Sequence, residues 1–375
     1  MKQRMKRLPA LVAAAAASLV LLPSSAQAQT SGDHAGTLAA LKTFQAAAGP
    51  GAAINAGDAT NSYSLAVGTG TINANLPILP TDHFRIGSQT KTLTATAVLQ
   101  LVDEGKVVLD TPIETYLPGV VDGNGYHGDT ITVRQLLQHS SGIPANDPPN
   151  PQASPDGTYT LAALVRDGLG HPPASAPGTT FAYSNTNYEI LGLLIERITG
   201  LPVRQVITNR IIEPLDLTGT SFPAAGDRTV PTPAVHGYHG IRIGIFNLWT
   251  DLGTALEPSI YSTSGAMIST LRDVTAFDQA LMGGRLLSPA TLAEMKKTVA
   301  VGGGLSYGLG VAAHTLPCGG AAWGHDGIVN GYYSETLVTE DGRHASVVTN
   351  AHLATNAPIA QMYNLLDTAL CEATP

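Results

Sequence analysis

Apolar residues recur along this chain with two different periods. Between 36 and 48, Leu38, Leu41 and Phe44 fall three apart, the spacing that places side chains on one face of a helix. The same period predicts helices over Val133 to His139, Leu161 to Asp167, Tyr188 to Thr199, Val203 to Ile212, Leu271 to Met282, Ser288 to Lys297 and Ala357 to Leu370. The Tyr188 helix carries its stripe at Ile190, Leu191, Leu194, Ile195 and Ile198, and Gly200 supplies a stop. Strand-like runs lie at both ends of the chain. Gly51 to Ala56 and Ser62 to Val67 flank Gly57-Asp58-Ala59-Thr60-Asn61 and predict a hairpin. Tyr307 to Ala313, the stretch from Trp323, Tyr332 to Thr339 and His344 to Asn350 predict strands, with Glu340-Asp341-Gly342-Arg343 turning the last pair. Ile241 to Glu257 has no clean period, and no element is assigned to it.

Strands at both ends with helices between them predict an α+β architecture. An antiparallel sheet is made from N- and C-terminal segments, flanked by helices, with a helical domain inserted. The alternation of strand and helix that marks a parallel sheet is missing. The expected division is an α/β domain from 29–105 and 266–375, with the helical insertion at 106–265.

Composition agrees with a large core. Of 375 residues, 43% are hydrophobic and only 13% charged, which argues against disorder and for one or two domains. Residues 1–28 read as a secretory signal: Lys2, Arg4, Lys6 and Arg7, then an apolar stretch from Leu8 to Leu22, then Ala26-Gln27-Ala28. That stretch is shorter than the roughly 20 residues of a spanning helix, and no lipobox cysteine follows. The expected product is secreted, cleaved near Ala28, with no membrane anchor. Without the four leader cations, 16 Lys and Arg face 28 Asp and Glu. Such an acidic protein is a poor partner for nucleic acid. Cys318 and Cys371 are the two cysteines; export favours a disulfide over two buried thiols.

Candidate chemistry centres on Phe84-Arg85-Ile86-Gly87-Ser88-Gln89-Thr90-Lys91 and the apolar run after it. A helix beginning near Ser88 puts Ser88 and Lys91 on one face. The hydroxyl and the amine can then share a proton, and free N–H groups at the helix start supply part of an oxyanion hole. A lysine works as a base near neutrality only if burial or another cation lowers its pKa. Tyr183-Ser184-Asn185, just before the Tyr188 helix, offers a phenol to relay a proton and an amide to hold a carbonyl. His325-Asp326-Gly327 opens a late strand, where Gly327 lets a ligand approach the backbone.

In this order the motifs resemble the serine penicillin-recognising enzymes. The branch is that of class C β-lactamases, secreted D-alanyl-D-alanine carboxypeptidases and related esterases, and most nearly the soluble exported carboxypeptidase of actinomycete type. Phe84 to Pro118, Ile131 to Gln135, His139-Ser140-Ser141-Gly142, Tyr183 to Gly200 and Gly324 to Tyr333 also match, and Cys318 and Cys371 fall where that carboxypeptidase has its disulfide. The resemblance implies a β-lactamase/transpeptidase-like fold and catalysis through an acyl-enzyme. Ser88 is then the nucleophile, Lys91 its base, and Tyr183 the relay to the leaving group. Asn185 would bind the acyl-side amide, and the N–H groups of Ser88 and Ile328 the oxyanion. His325 would keep Tyr183 and Lys91 correctly protonated. No cofactor or metal is implied. The expected substrates are peptides or esters, peptidoglycan stem peptides among them, with β-lactams as inhibitors or substrates and the protein a monomer.

Two positions depart from that pattern. The carboxypeptidase's arginine for the substrate carboxylate falls on Ala312, and its two carboxylate-binding threonines fall on Asp326 and Ile328. Alanine lacks the bidentate fork, and Asp326 would repel a carboxylate. His314, on the same strand face as Ala312, is a weaker substitute. D-alanyl-D-alanine carboxypeptidase is therefore the expected activity by resemblance, with esterase, D-amino-acid amidase or β-lactamase as the alternative and a non-catalytic binding protein as a third. Gly304-Leu305-Ser306-Tyr307-Gly308 followed by Asp326 and His344 matches a nucleophile elbow in spelling only, since no strand is predicted before it nor a helix after it. His236-Gly237-Tyr238-His239 brings too few ligands for a metal, and the glycines at 302–304 lack the lysine of a phosphate loop.

Overall fold

The strand-like runs at the two ends of the chain meet in one sheet. The computed structural model describes residues 34–243, 246–353 and 358–372, so the expected leader at 1–28 lies outside the described residues. The helices are α1 (Ala35–Ala48), α2 (Thr90–Asp103), α3 (Val133–Leu137), α4 (Leu161–Gly168), α5 (Asn185–Thr199), α6 (Val203–Ile207), α7 (Ser262–Gly265), α8 (Leu271–Met282), α9 (Pro289–Met295) and α10 (Ile359–Glu372). The strands are β1 (Gly51–Gly57), β2 (Ser62–Gly68), β3 (Phe84–Arg85), β4 (Asp122–Gly123), β5 (Tyr126–His127), β6 (Tyr238–Ile243), β7 (Phe246–Asp251) and β8 (Ile268–Ser269), then β9 (Val299–Gly302), β10 (Leu305–Tyr307), β11 (Ala312–Thr315), β12 (Ala321–Val329), β13 (Tyr332–Thr339), β14 (His344–Thr349) and β15 (Ala351–Leu353).

Eight strands form the main sheet in the order β2-β1-β14-β13-β12-β11-β10-β9, and each neighbouring pair is antiparallel. The first hairpin thus joins the last strands directly, with Ala52 opposite Thr349 and Gly57 opposite His344. One face of the sheet packs under α1 and α10 through Leu41, Phe44, Ile54, Val347, Leu365 and Leu366. The other carries the larger core, with Phe84, Leu99, Leu194, Leu281 and Val348 among its members. Covered on both faces, β1 and β13 are buried along their whole length. Cys318 and Cys371 are bonded to each other, tying the loop before β12 to α10.

Three elements differ from the expectation, each for a local reason. The run from Tyr307 to Ala313 is two strands, β10 and β11, because Gly308 to Val311 makes a turn in which Gly310 takes φ +82°. A β-carbon at Gly310 would stand 2.3 Å from that of Ala95, so the turn rests directly on α2. Val203 to Ile212 is α6 followed by a π turn. The unassigned stretch from Ile241 holds β7, which pairs with β6; Ile241 and Leu248 stand largely exposed, so no buried face imprints a period on it.

Helix α2 shows no amphipathic period because all but its last turn is enclosed. Thr90 to Leu99 and Leu101 are all buried. Its threonines tolerate this because their hydroxyls donate to carbonyls: Thr92 to Gly310 O at 2.9 Å, Thr94 to Thr263 O at 2.9 Å and Thr96 to Thr92 O at 2.7 Å. Among the described residues, no helix is long and apolar enough to cross a membrane.

Candidate active site

Ser88 sits in a 3-10 turn, Gly87–Gln89, that leads into α2. The turn is held from both sides. Ile86 N–H donates to Met267 O at 3.0 Å beside the β3–β8 pair, and Gln89 Nε2 donates to Ser334 Oγ at 2.7 Å on β13. Two glycines let it come so close to β12. Gly87 has φ +53°, and a β-carbon there would lie 3.0 Å from both the nitrogen and the oxygen of Ile328. A β-carbon on Gly327 would stand 1.9 Å from Ile86 O. The backbone of Ile328 is thereby brought beside the nucleophile turn, as a two-donor oxyanion hole requires.

One turn into α2, Lys91 is fully enclosed. Its Nζ lies 3.0 Å from Ser88 Oγ, 2.8 Å from Asn185 Oδ1 and 2.8 Å from Ser264 O. A neutral amine has two N–H bonds and one lone pair. Asn185 and Ser264 offer only acceptors to it, which leaves the lone pair for the Ser88 hydroxyl. Burial lowers the Lys91 amine to about 7, against the opposing pull of Asp326, Glu189 and Asp147. Near neutrality a large share of it is therefore in the form that accepts a proton. Burial thus moves this amine in the direction that a base near neutrality needs.

Tyr183 lies over this amine, its ring centre 4.8 Å from Lys91 Nζ. Desolvation and then the Asp326 charge push its phenol well above the ordinary value, and a hydrogen bond with Ser88 only partly offsets them. Tyr183 is thus a neutral phenol, suited to pass a proton and not to act as a standing base. Asn185 is the first residue of α5, and its Oδ1 is committed to Lys91, leaving the amide N–H bonds free to donate.

His325 is buried on β12, but it does not bond to Tyr183. Its Nε2 pairs with Tyr307 Oη at 2.9 Å and its Nδ1 with Asp326 O at 2.6 Å, so both ring nitrogens are engaged. Its ring meets that of Tyr183 directly at 6.2 Å, and its hydrogen-bond partner Tyr307 meets Tyr183 edge to face at 6.5 Å. His314, read as a substitute for the missing arginine, is otherwise occupied: Nε2 bonds Asp367 at 2.7 Å and the ring stacks on Tyr363. The elbow spelling at Ser306 falls on strand β10, with no helix after it. Among the described residues no His, Cys, Asp and Glu cluster fit to hold a metal is present.

Several residues at the site receive no chemical role from the sequence. His139, at φ +57°, accepts the Ala182 N–H on its carbonyl at 2.8 Å and the Ser184 N–H on Nδ1 at 3.1 Å. It clamps the chain on either side of Tyr183. Burial, then the charges of Lys91 and His325, drive its own pKa well below the ordinary value, so it stays neutral. Asp147 and Tyr261 come from two loops far apart in the chain and form a wall of the pocket. Only a structure could bring them together.

The pocket is a cavity of about 470 Å³ lined by Ser88, Tyr183 and Asn185, by Asp147 and Tyr261, and by Asp326 and Ile328 from β12. Two carboxylates border it and none of its lining residues is Arg or Lys. The Asp326 side chain is 42% exposed, so its charge faces whatever enters.

Known proteins resemble this chain over most of its length. A family model described as Beta-lactamase matches residues 39–365. A D-stereospecific amidohydrolase from Streptomyces sp. superposes with a TM-score of 0.79 at 36% identity, covering 90% of this chain and 98% of that one. D-amino acid amidase from Ochrobactrum anthropi SV3, in complex with L-phenylalanine amide, gives 0.79 at 26% identity over 91% and 98%. PbpX of Bacillus subtilis, a protein named for penicillin binding, is 29% identical over 285 residues, 76% of this chain and 66% of that one. Protein flp of Staphylococcus aureus is 32% identical over 174 residues, 35% of its length. The chain therefore spans less than two thirds of these two relatives.

Proposed function

This chain belongs to the β-lactamase family of serine hydrolases, and from that premise we propose that it is an amidohydrolase acting through an acyl-enzyme on D-amino-acid amides and related peptides or esters. The observation that carries the substrate class is the pair of carboxylates, Asp147 and Asp326, on a pocket with no cation among its lining residues. Such a pocket favours an acyl donor bearing an ammonium group and disfavours a leaving group bearing a carboxylate. The names of the Streptomyces and Ochrobactrum structures support the same class and the D configuration.

The distances support the following roles. Ser88 Oγ attacks the substrate carbonyl carbon while its proton passes to the Lys91 lone pair. The carbonyl oxygen takes the negative charge and is held by the N–H groups of Ser88 and Ile328. Tyr183 gives its hydroxyl proton to the leaving nitrogen and is reprotonated from Lys91. The C–N bond breaks, leaving an ester on Ser88 and a free amine or ammonia. Water then attacks the ester by the same relay in reverse. Asn185 donates to the acyl-side carbonyl. β-Lactams would acylate Ser88 in the same way. The leader at 1–28 and the Cys318–Cys371 bond support export.

A panel of D-phenylalanine amide, its N-acetyl derivative, diacetyl-Lys-D-Ala-D-Ala and a chromogenic cephalosporin tests the reading. We expect turnover of the amide, a steep loss on N-acetylation and slow cleavage of the free-carboxylate peptide. Faster cleavage of diacetyl-Lys-D-Ala-D-Ala than of the amide would overturn it in favour of D-alanyl-D-alanine carboxypeptidase, the activity that the motifs alone suggest.

A further inference from the structure

His139 is bonded to both residues that flank Tyr183. Its carbonyl accepts the Ala182 N–H at 2.8 Å and its Nδ1 accepts the Ser184 N–H at 3.1 Å. The rings of His139 and Tyr183 lie against each other, 4.4 Å between centres. Tyr183 itself stands in the stretch before α5, outside any helix or strand, so no helix or sheet ladder fixes its backbone. The left-handed φ of +57° at His139 belongs to a region that His, Asn and Asp enter more readily than other side chains.

The donors around Nδ1 decide the tautomer. A backbone N–H such as that of Ser184 can only donate. Ser141 Oγ accepts the Ile143 N–H at 3.1 Å and donates to Asn187 Oδ1 at 2.7 Å, which turns the Asn187 Nδ2 toward His139 Nδ1 at 3.1 Å as a second donor. Nδ1 therefore presents a lone pair, and the ring proton sits on Nε2. That Nε2–H is buried with no hydrogen-bond partner among the described residues, in a ring enclosed by Phe181, Tyr183, Tyr188 and Tyr307. A leucine would fill such a space without burying an unmatched N–H. What the imidazole alone contributes is the Nδ1 acceptor.

We propose that His139 is a positioning residue for the departure of the leaving group: as the Nε2–H tautomer it holds the chain on both sides of Tyr183, through its carbonyl and its Nδ1, and so aims the Tyr183 hydroxyl at the nitrogen that leaves. This rests on the reading of Tyr183 as the group that protonates that nitrogen. Ser141 and Asn187 stand behind the imidazole and fix its orientation. A misplacement of about 1 Å in such a donor is enough to slow its step about a hundredfold.

The test compares kcat/KM, which reports the steps up to acylation, for D-phenylalanine amide and for nitrophenyl butyrate in the full chain. An amide nitrogen leaves only with a proton, whereas nitrophenolate leaves as a stable anion. Tyr183→Phe should lower the amide value about a hundredfold and the ester value by less than about tenfold. His139→Leu should reproduce that split. His139→Asn tolerates the left-handed backbone and offers Oδ1 near the place of Nδ1, so it should return the amide value to within about fivefold of the unaltered protein. A protein that is merely less well folded loses both activities alike. Should His139→Leu fail to fold, Asn187→Asp keeps the size of the side chain but faces Nδ1 with an acceptor, draws the ring proton onto Nδ1 and takes the lone pair from Ser184; it should show the same split. Equal losses on both substrates in the variant that folds overturn the proposal, as does a His139→Asn protein no better on the amide than His139→Leu. Equal losses in Tyr183→Phe would instead fail the reading of Tyr183 and take this proposal with it.

Discussion

Tyr307 Oη stands 2.9 Å from His325 Nε2, deep beneath the pocket. Desolvation keeps Tyr307 a neutral phenol, and the pair joins β12 to the aromatic group of His139, Tyr183 and Tyr188. Removing the hydroxyl in Tyr307→Phe strands a buried ring nitrogen, at a cost of roughly 1–3 kcal/mol. We expect a lower unfolding temperature and about a tenfold loss in kcat, with Ser88 still labelled by a penicillin. Unchanged kcat at full stability would remove His325 from the proton path.

Lys91 must be neutral to act, so kcat/KM should rise with pH through about 7. Lys91→Arg replaces it with a group that stays charged, and should lower kcat/KM about a thousandfold across the range. Stability carries the same signature with a definite sign. The folded amine loses its proton near 7 and the unfolded one near 10.5, so between those values the unfolded chain binds more protons and stability increases with pH. Thermal unfolding from pH 7 to 10 in the native protein and in Lys91→Met checks this; the rise should vanish in the variant.

Specificity should move with two residues on neighbouring strands. Asp326→Thr removes the repelling charge, and Ala312→Arg supplies a cation on β11, the strand beside it. The double variant should raise the ratio of free-carboxylate peptide to amide turnover at least about tenfold. Competition between diacetyl-Lys-D-Ala-D-Ala and D-phenylalanine amide measures it. An unchanged ratio would show that Asp326 does not face the leaving group.

Gly87 is intolerant of any side chain. Alanine there must adopt φ near +53° and push on the Ile328 backbone from 3.0 Å. Gly87→Ala should cost about 1–2 kcal/mol and, by displacing an oxyanion donor, slow acylation about a hundredfold. Stopped-flow penicillin labelling separates the two effects: a normal acylation rate in a destabilised protein would place the oxyanion donors elsewhere.

The architecture was legible because burial left marks of period two at both chain ends and of period 3.6 between them. Leu271 to Met282 came out with its own bounds, since its less buried positions, Arg272, Ala276 and Gln279, fall on one narrow stripe. Helix α2 was found only by its apolar run and its Ser-x-x-Lys opening, for a helix enclosed over all but its last turn has no period to read. Ser88, Lys91, Tyr183 and Asn185 come together because each sits where a loop delivers a helix, a position that sequence spacing can locate. Asp147, Tyr261 and Tyr307 were invisible because their meaning is purely spatial: each is an ordinary residue until α5, α7 and β12 converge. His325, read as opening a strand, lies in the middle of β12, and its partner Tyr307 was read only as the start of a strand.

The sheet that interleaves the first hairpin with the last strands has a consequence in time. During synthesis the nucleophile turn leaves the ribosome long before β12, β13 and β14 exist, and β1 must wait for β14 to pair at Ala52 and Thr349. Until then Ser88 lacks both the Ile328 backbone beside its turn and the floor beneath Tyr183. On the proposed roles, a nascent or truncated polypeptide should therefore not become acylated at Ser88 until the final strands close.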